Sequence, residues 1–237
     1  MKGYRKSNNQ SGKICVSVGS AELDSALKVA QNLAGQADVI EIRLDTLDAP
    51  QITPFVTGIA APLLFTNRPD WEGGFFKGRE NDRLQPLKQA IMAGAAFIDI
   101  ELRTEDKQRQ QLIGLAQDND CQALVSWHNF TNTPSARELG EILARQYDSG
   151  AAIGKIVTMA HDFTDVLRVL QLQVIALEKD FPLCAFCMGE AGKISRLATL
   201  SLGGYMTYAA PDPATNTAPG QFDLDTLCRI KDLINGN

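Results

Sequence analysis

Three scarcities in this chain narrow what it can be. No apolar run approaches the ~18 residues needed to cross a bilayer, so a membrane-spanning protein is not expected. Basic residues nowhere dominate: 23 Lys and Arg stand against 28 Asp and Glu, for a formal net charge of −5 and a pI near 5.1. Such a chain is a poor partner for nucleic acid or an anionic membrane surface, although it can still surround a locally basic pocket for a small anion. Cysteine is sparse as well. The five thiols, Cys15, Cys121, Cys184, Cys187 and Cys228, are odd in number and scattered mostly through apolar segments, which suits a reducing compartment. Cys184 and Cys187 form a C-x-x-C pair, but FPLCAFCMG reads as a buried strand, on which residues three apart face opposite ways. With no second pair and no clustered histidine, no zinc or other metal site is expected. The opening residues, MKGYRKSNNQSGK, lack the apolar core of a signal peptide. They read as a flexible arm over 1–12 preceding one catalytic domain over 13–237, with a cytoplasmic location as the expectation.

What is present is an alternation. Strand patterns at 13–19, 38–45, 62–68, 96–102, 122–128, 152–160, 182–189 and 203–209 are each followed by a helical pattern, the last over 223–235. Strands alternating with helices imply parallel pairing and right-handed crossovers. Eight such units in 237 residues fit a single-domain α/β fold, the (β/α)8 TIM barrel. An open doubly wound sheet has the same alternation and stays possible, but the fingerprints G-x-G-x-x-G and G-x-x-x-x-G-K-[ST] are absent.

Barrel interiors are normally filled with Val, Ile and Leu, and their active sites lie at the carboxyl ends of the strands. Two strands depart from that pattern. In VIEIRLD, Glu41, Arg43 and Asp45 share one face while Ile40, Ile42 and Leu44 share the other; in AFIDIEL, Asp99 and Glu101 oppose Ile98, Ile100 and Leu102. The apolar faces should meet the helices, which turns the charges inward. Unpaired buried charge is costly, so these groups must pair with one another or with a ligand. Ligand contact is the reading for Glu41 and Arg43; Asp45, Asp99 and Glu101 fit an internal salt-bridge network equally well.

Lys155 lies among apolar neighbours in AAIGKIVTMA. Burial disfavours the charged form of an amine, and the neutral amine is the form that attacks a carbonyl. The alternative is a lysine that merely pairs with an inward carboxylate. His128 ends the strand QALVSWH, where a barrel displays its chemistry, and a near-neutral imidazole can pass protons both ways. His161, in MAHDF, reads instead as a helix-start residue. Arg68 and Glu72 stand at the mouth of the third strand, in TNRPDWEGG. Arg196 falls early in the helix after the seventh strand, where helix dipole and cation together suit an anion; a surface arginine is the plain alternative. The Pro-rich stretch 210–222 follows the eighth strand and is placed to act as a lid.

Taken in order, E-I-R-L-D, T-N-R-P-D-W-E-G-G, I-D-I-E-L, S-W-H-N-F, G-K-I-V, M-G-E-A-G-K-I-S-R and T-A-P-G-Q resemble type I 3-dehydroquinate dehydratases, from about Ile14 to the C-terminus. The resemblance implies a Schiff-base hydro-lyase of the shikimate pathway that takes 3-dehydroquinate to 3-dehydroshikimate by syn elimination of water, without cofactor or metal, and a homodimer. It implies Lys155 as the imine-forming amine, His128 as acid and base, and Glu72 as the group orienting the histidine. Glu41, Arg43 and Arg68 are then contacts to ring hydroxyls, Arg196 binds the carboxylate, Gln221 and Thr217 reach in from the lid, and Met188 is an apolar pocket residue. The chain departs from the family's pattern in carrying Thr217 where SAPGQ is common, and in the aromatic, basic run FFKGREN after E-G-G. Neither departure removes a group the mechanism needs. An aldolase on the same barrel would share Lys155 but favours a phosphate site that is missing here.

Overall fold

The structure is a computed structural model that describes residues 12–214 and 220–236. Nine strands form one sheet: β1 (Lys13–Val18), β2 (Val39–Arg43), β3 (Leu63–Thr66), β4 (Phe97–Glu101), β5 (Gln122–Asn129), β6 (Ile153–Met159), β7 (Leu183–Met188), β8 (Met206–Ala210) and the two-residue β9 (Phe222–Asp223). The order is β7-β6-β5-β4-β3-β2-β1-β8-β9, with every pairing parallel. Strand β8 thus sits beside β1, and the ring closes between β7 and β8, where the Tyr205 N–H donates to the Leu183 carbonyl at 2.8 Å. This is the (β/α)8 barrel rather than an open sheet. The helices are α1 (Leu23–Leu33), α2 (Thr53–Gly58), α3 (Glu80–Met92), α4 (Asp106–Gln117), α5 (Ala136–Asp148), α6 (Phe163–Glu178), α7 (Lys193–Ser201) and α8 (Leu224–Asn235). No helix among the described residues is long and apolar enough to cross a membrane.

Period-2 alternation sorts the strand residues into two cores. Ile40, Ile42, Ile98, Ile100, Val125 and Ile156 belong to the large cluster between sheet and helices. Val39, Leu64, Phe97, Leu124, Ile153, Cys184 and Met206 fill the barrel's interior. The C-x-x-C pair divides as expected, Cys184 inside and Cys187 outside. All five cysteines are free thiols, and no metal-binding cluster occurs among the described residues.

Helix starts follow local chemistry. Ser135 and Glu138 form a reciprocal capping box on α5, while Asp162 and Asp223 accept backbone N–H groups at the starts of α6 and α8. One sequence expectation needs correcting. The second strand stops at Arg43, and Asp45 lies in the short 3₁₀ turn Leu44–Thr46; the chain turns there because the Asp45 carboxylate ties Arg43 to the β3 loop. The Gly12 N–H donates to Leu200 O at 2.9 Å; the rest of the arm expected over 1–12 falls on positions 1–11, which lie outside the described residues.

Candidate active site

One pocket opens at the carboxyl end of the barrel, and its lining includes Glu41, Arg43, Arg68, Glu72, His128, Lys155, Met188, Arg196 and Gln221. Nine of the ten residues singled out from the sequence therefore meet in one place. The tenth, Thr217, lies outside the described residues, as does the central part of the suggested lid, 215–219.

Lys155 occupies the middle of β6, 4% exposed. Its backbone carbonyl accepts a hydrogen bond from Gln146 Nε2 at 2.8 Å, which pins the strand from the helix side. Its Nζ donates to Asp99 Oδ2 at 3.2 Å, lies 4.0 Å from Glu41 Oε1 and stands 3.9 Å from the centre of the Tyr208 ring. Glu41 is itself occupied by the hydroxyls of Ser17 and Thr66.

His128 sits one strand away, its ring Nδ1 3.0 Å from Glu72 Oε1. The same oxygen accepts the His128 backbone N–H at 3.0 Å. Two contacts from one carboxylate oxygen fix both the strand end and the ring. Burial drives the Glu72 carboxyl up to about 8, against the pull of Arg68. Burial, together with the charges of Arg68 and Lys155, holds the imidazole well below its ordinary range. Both shifts favour the uncharged partner, so a proton on this pair belongs to the pair rather than to either residue. When Glu72 is ionised it accepts the Nδ1–H, leaving Nε2 with a lone pair toward the pocket.

Phe130 extends this unit. Its ring lies nearly parallel to the imidazole, 14° apart with centroids at 5.9 Å. The tip of the ring meets Gly73, where a Cβ would come within 2.3 Å of it. Gly73 has φ 76°, left-handed backbone that glycine adopts without strain. The loop carrying Glu72 and the strand carrying His128 are thus interlocked.

The cations divide in their duties. Arg43 spends Nε and Nη2 on Asp45 at 2.9 and 2.6 Å, and Asp45 also accepts the backbone N–H of Arg68 and of Phe75. Arg68 commits Nη1 to Glu101 and Ser126 and Nη2 to Asp99, at 2.5–2.7 Å. Arg196 is no surface residue: it is 1% exposed, its guanidinium stacks over Phe186 at 4.7 Å, and burial lowers it to about 10, which leaves it cationic at neutral pH. His161 lies apart, outside the pocket, its ring Nε2 2.7 Å from the Thr131 carbonyl oxygen.

Several contributors escaped sequence reasoning. Phe186 and Tyr208 line the pocket from β7 and β8; their period-2 spacing from Cys184 and Met206 was the available signal. Phe130 stood inside the S-W-H-N-F motif without a role. Arg83 carried no signal: it lies on a polar helix yet is buried, bonded to Glu80, Thr104, the Asn67 carbonyl and Glu101.

A closed parallel barrel with a buried amine, an imidazole–carboxylate pair and a buried guanidinium gathered over its strand ends defines a barrel enzyme of carbonyl chemistry. More narrowly, the chain belongs to the type I 3-dehydroquinase family, whose model matches residues 14–237. It is 46% identical over 217 residues to the 3-dehydroquinate dehydratase of Desulfotalea psychrophila, covering 92% of this chain and 96% of that one. The 3-dehydroquinate dehydratase of Methanocaldococcus jannaschii is 33% identical over 219 residues, with 92% and 96% covered. Among solved structures, the type I 3-dehydroquinate dehydratase of Clostridium difficile with covalent modified comenic acid superposes with a TM-score of 0.87 at 27% identity, covering 95% of this chain and 93% of that one.

Proposed function

We propose that this pocket dehydrates 3-dehydroquinate to 3-dehydroshikimate through an imine on Lys155. The observation that carries the reading is the buried Lys155 amine sharing one pocket with His128 and Arg196. The neutral amine attacks the C3 ketone; the carbinolamine hydroxyl takes up one proton and leaves as water, and a protonated imine remains. That cation is an electron sink, so His128 Nε2 can take a C2 proton, and the C2–H bonding pair moves into an enamine. The enamine then expels the C1 hydroxyl, which leaves as water after receiving a proton from the imidazolium. Hydrolysis of the conjugated imine releases product and restores the amine.

Glu72 orients His128 in this reading. Arg196 receives the substrate carboxylate, Glu41 and Arg43 meet ring hydroxyls, Met188 supplies apolar wall, and Gln221 and Thr217 approach from the lid. Arg68, whose two terminal nitrogens are already bonded to protein, meets a ring hydroxyl with the donor capacity those bonds leave over. Two further parts of the reading are a homodimer, supported by the exposed apolar face that Phe163, Leu167, Val174 and Leu177 present along α6, and a cytoplasmic location, which suits five free thiols. The domain is taken as 13–237.

The test is borohydride reduction in the presence of 3-dehydroquinate, followed by intact and peptide mass measurement. An adduct on Lys155, lost in Lys155→Ala and accompanied by dehydroshikimate absorbance in untreated samples, supports the proposal. An adduct formed only with some other ketone points to an aldolase, and no adduct with any keto acid from folded protein overturns the lysine mechanism.

A further inference from the structure

Imine formation changes what Lys155 asks of its surroundings. An ammonium has three N–H donors, whereas a protonated imine keeps one, is planar and remains a cation. A cage of three acceptors would suit the resting amine and strand the intermediate. The surroundings found here are different. Among the described residues, only Asp99 offers Nζ an acceptor within hydrogen-bond distance, at 3.2 Å. The Tyr208 ring presents its face 3.9 Å away, an electrostatic contact that needs no N–H. Glu41, at 4.0 Å, has both oxygens engaged by Ser17 and Thr66.

Asp99 is built to stay charged and still. It is fully buried, with Oδ1 accepting the Ser126 hydroxyl at 2.6 Å and Oδ2 accepting Arg68 Nη2 at 2.7 Å. Burial alone would raise its carboxyl, but the charges of Arg68 and Lys155, with the Arg68 hydrogen bond, reverse that and hold it below the usual range. Tyr208 is also buried, its ring tilted against Phe186 at 5.9 Å. Its hydroxyl has no hydrogen-bond partner among the described residues, and burial keeps it protonated.

Building on the imine reading, we propose that Asp99 and Tyr208 are positioning residues for Lys155, cradling its nitrogen between a fixed carboxylate and an aromatic face both as ammonium and as iminium. The single Asp99 bond survives the loss of two donors, and the ring face accepts the flat cation. Other groups act on the same nitrogen. Arg68, in the loop after β3, opposes its charge, and His128 on β5 is held neutral. The thiols of Cys15 on β1 and Cys184 on β7 stay protonated through burial, which leaves Asp99 and Glu41 as the balancing anions.

The experiment compares the intact enzyme with Asp99→Asn, Tyr208→Leu and Tyr208→Phe, using 3-dehydroquinate as the probe. Borohydride trapping is followed against pH, beside kcat and KM. Asp99→Asn should move the pH profile of trapping to lower pH, because the nitrogen has lost its nearest anion. Its kcat should nonetheless fall, since the iminium has lost its counterion, while KM changes less. Tyr208→Leu should move the profile in the same direction with about a two- to tenfold loss in kcat, and Tyr208→Phe, which keeps the face, should resemble wild type. A wild-type enzyme that forms no adduct overturns the imine reading itself. Normal trapping with unchanged pH profile and kcat in Asp99→Asn and Tyr208→Leu overturns the cradle alone. So does a Tyr208→Phe variant as impaired as Tyr208→Leu. If Asp99→Asn does not fold, the two tyrosine variants decide the question by the same readouts.

Discussion

The two ends of the barrel's interior are built from the same strand faces yet hold opposite chemistry. At the amino end the inward residues are Val39, Leu64, Phe97, Leu124 and Ile153, all buried and apolar. One pleat further along the same strands stand Glu41, Thr66, Asp99, Ser126 and Lys155, equally buried but polar or charged. Backbone geometry, twist and register are shared, so the difference is one of side-chain type alone. The lower layer removes apolar surface from water, at roughly 25 cal/mol per Å². The upper layer offers little of that and tolerates its charges only because Arg68, Asp99, Glu101, Lys155 and their neighbours satisfy one another. Stability and chemistry are thereby separated by about 7 Å of strand.

The separation predicts which changes strike activity and which strike folding. The largest effect is expected at Lys155→Ala, where turnover falls by at least about 10⁴-fold while a melting curve stays close to wild type, because Asp99 retains Arg68 and Ser126. His128→Ala should cost about 10²–10⁴-fold in kcat, with the borohydride adduct still forming on Lys155; loss of the adduct would mean that the histidine serves imine formation instead. In the lower layer the outcome reverses. Leu124→Ala should destabilise the fold by about 2–5 kcal/mol, read by denaturant titration, while the remaining folded fraction traps substrate on the same lysine.

A subtler effect is expected at Glu72→Gln. Because the Glu72 carboxyl is raised to about 8, its protonated form contributes stability that is fully present below the ordinary carboxylate range and lost as pH rises through 8. His128 is shifted downward, so its contribution is present above its ordinary value of about 6.5 and lost as pH falls toward the folded value. Between about pH 6.5 and 8 only the Glu72 contribution changes, and the melting temperature should decline with rising pH in wild type but not in Glu72→Gln. Over the same interval wild-type activity should climb as Glu72 ionises and frees His128 Nε2, and that climb should vanish in the variant. The smallest effect is expected at His161→Ala, less than about twofold in kcat/KM, since an exposed histidine outside the pocket is a surface position in energetic terms. A larger loss there would break the assignment of acid–base chemistry to His128 alone.

The alternation of eight strands with eight helices was readable along the chain because period 2 and period 3.6 are local properties of hydrophobic spacing. The charged faces of VIEIRLD and AFIDIEL were readable for the same reason, since inward charge stands out against apolar neighbours. The motifs placed Lys155 within a strand, His128 and Glu72 at strand ends or mouths and Arg196 early in a helix, and the fold assembled them in one pocket. Other features depend on residues far apart in the chain. That Arg68 is spoken for by Asp99 and Glu101, that Arg83 is buried beneath the mouth, and that Asp45 ties two loops together are facts about distance, which no local pattern encodes. Tyr208 is the clearest case. Its position on an inward face follows from the pleat, but its ring meets Lys155 only because closure brings β8 across from β6. The sequence by itself determined the order of elements, the side each residue faces and the kinds of chemistry available; the tertiary structure decided which charges neutralise one another and which remain for a substrate, because pairing energies depend on separation and burial that exist only once the barrel is closed.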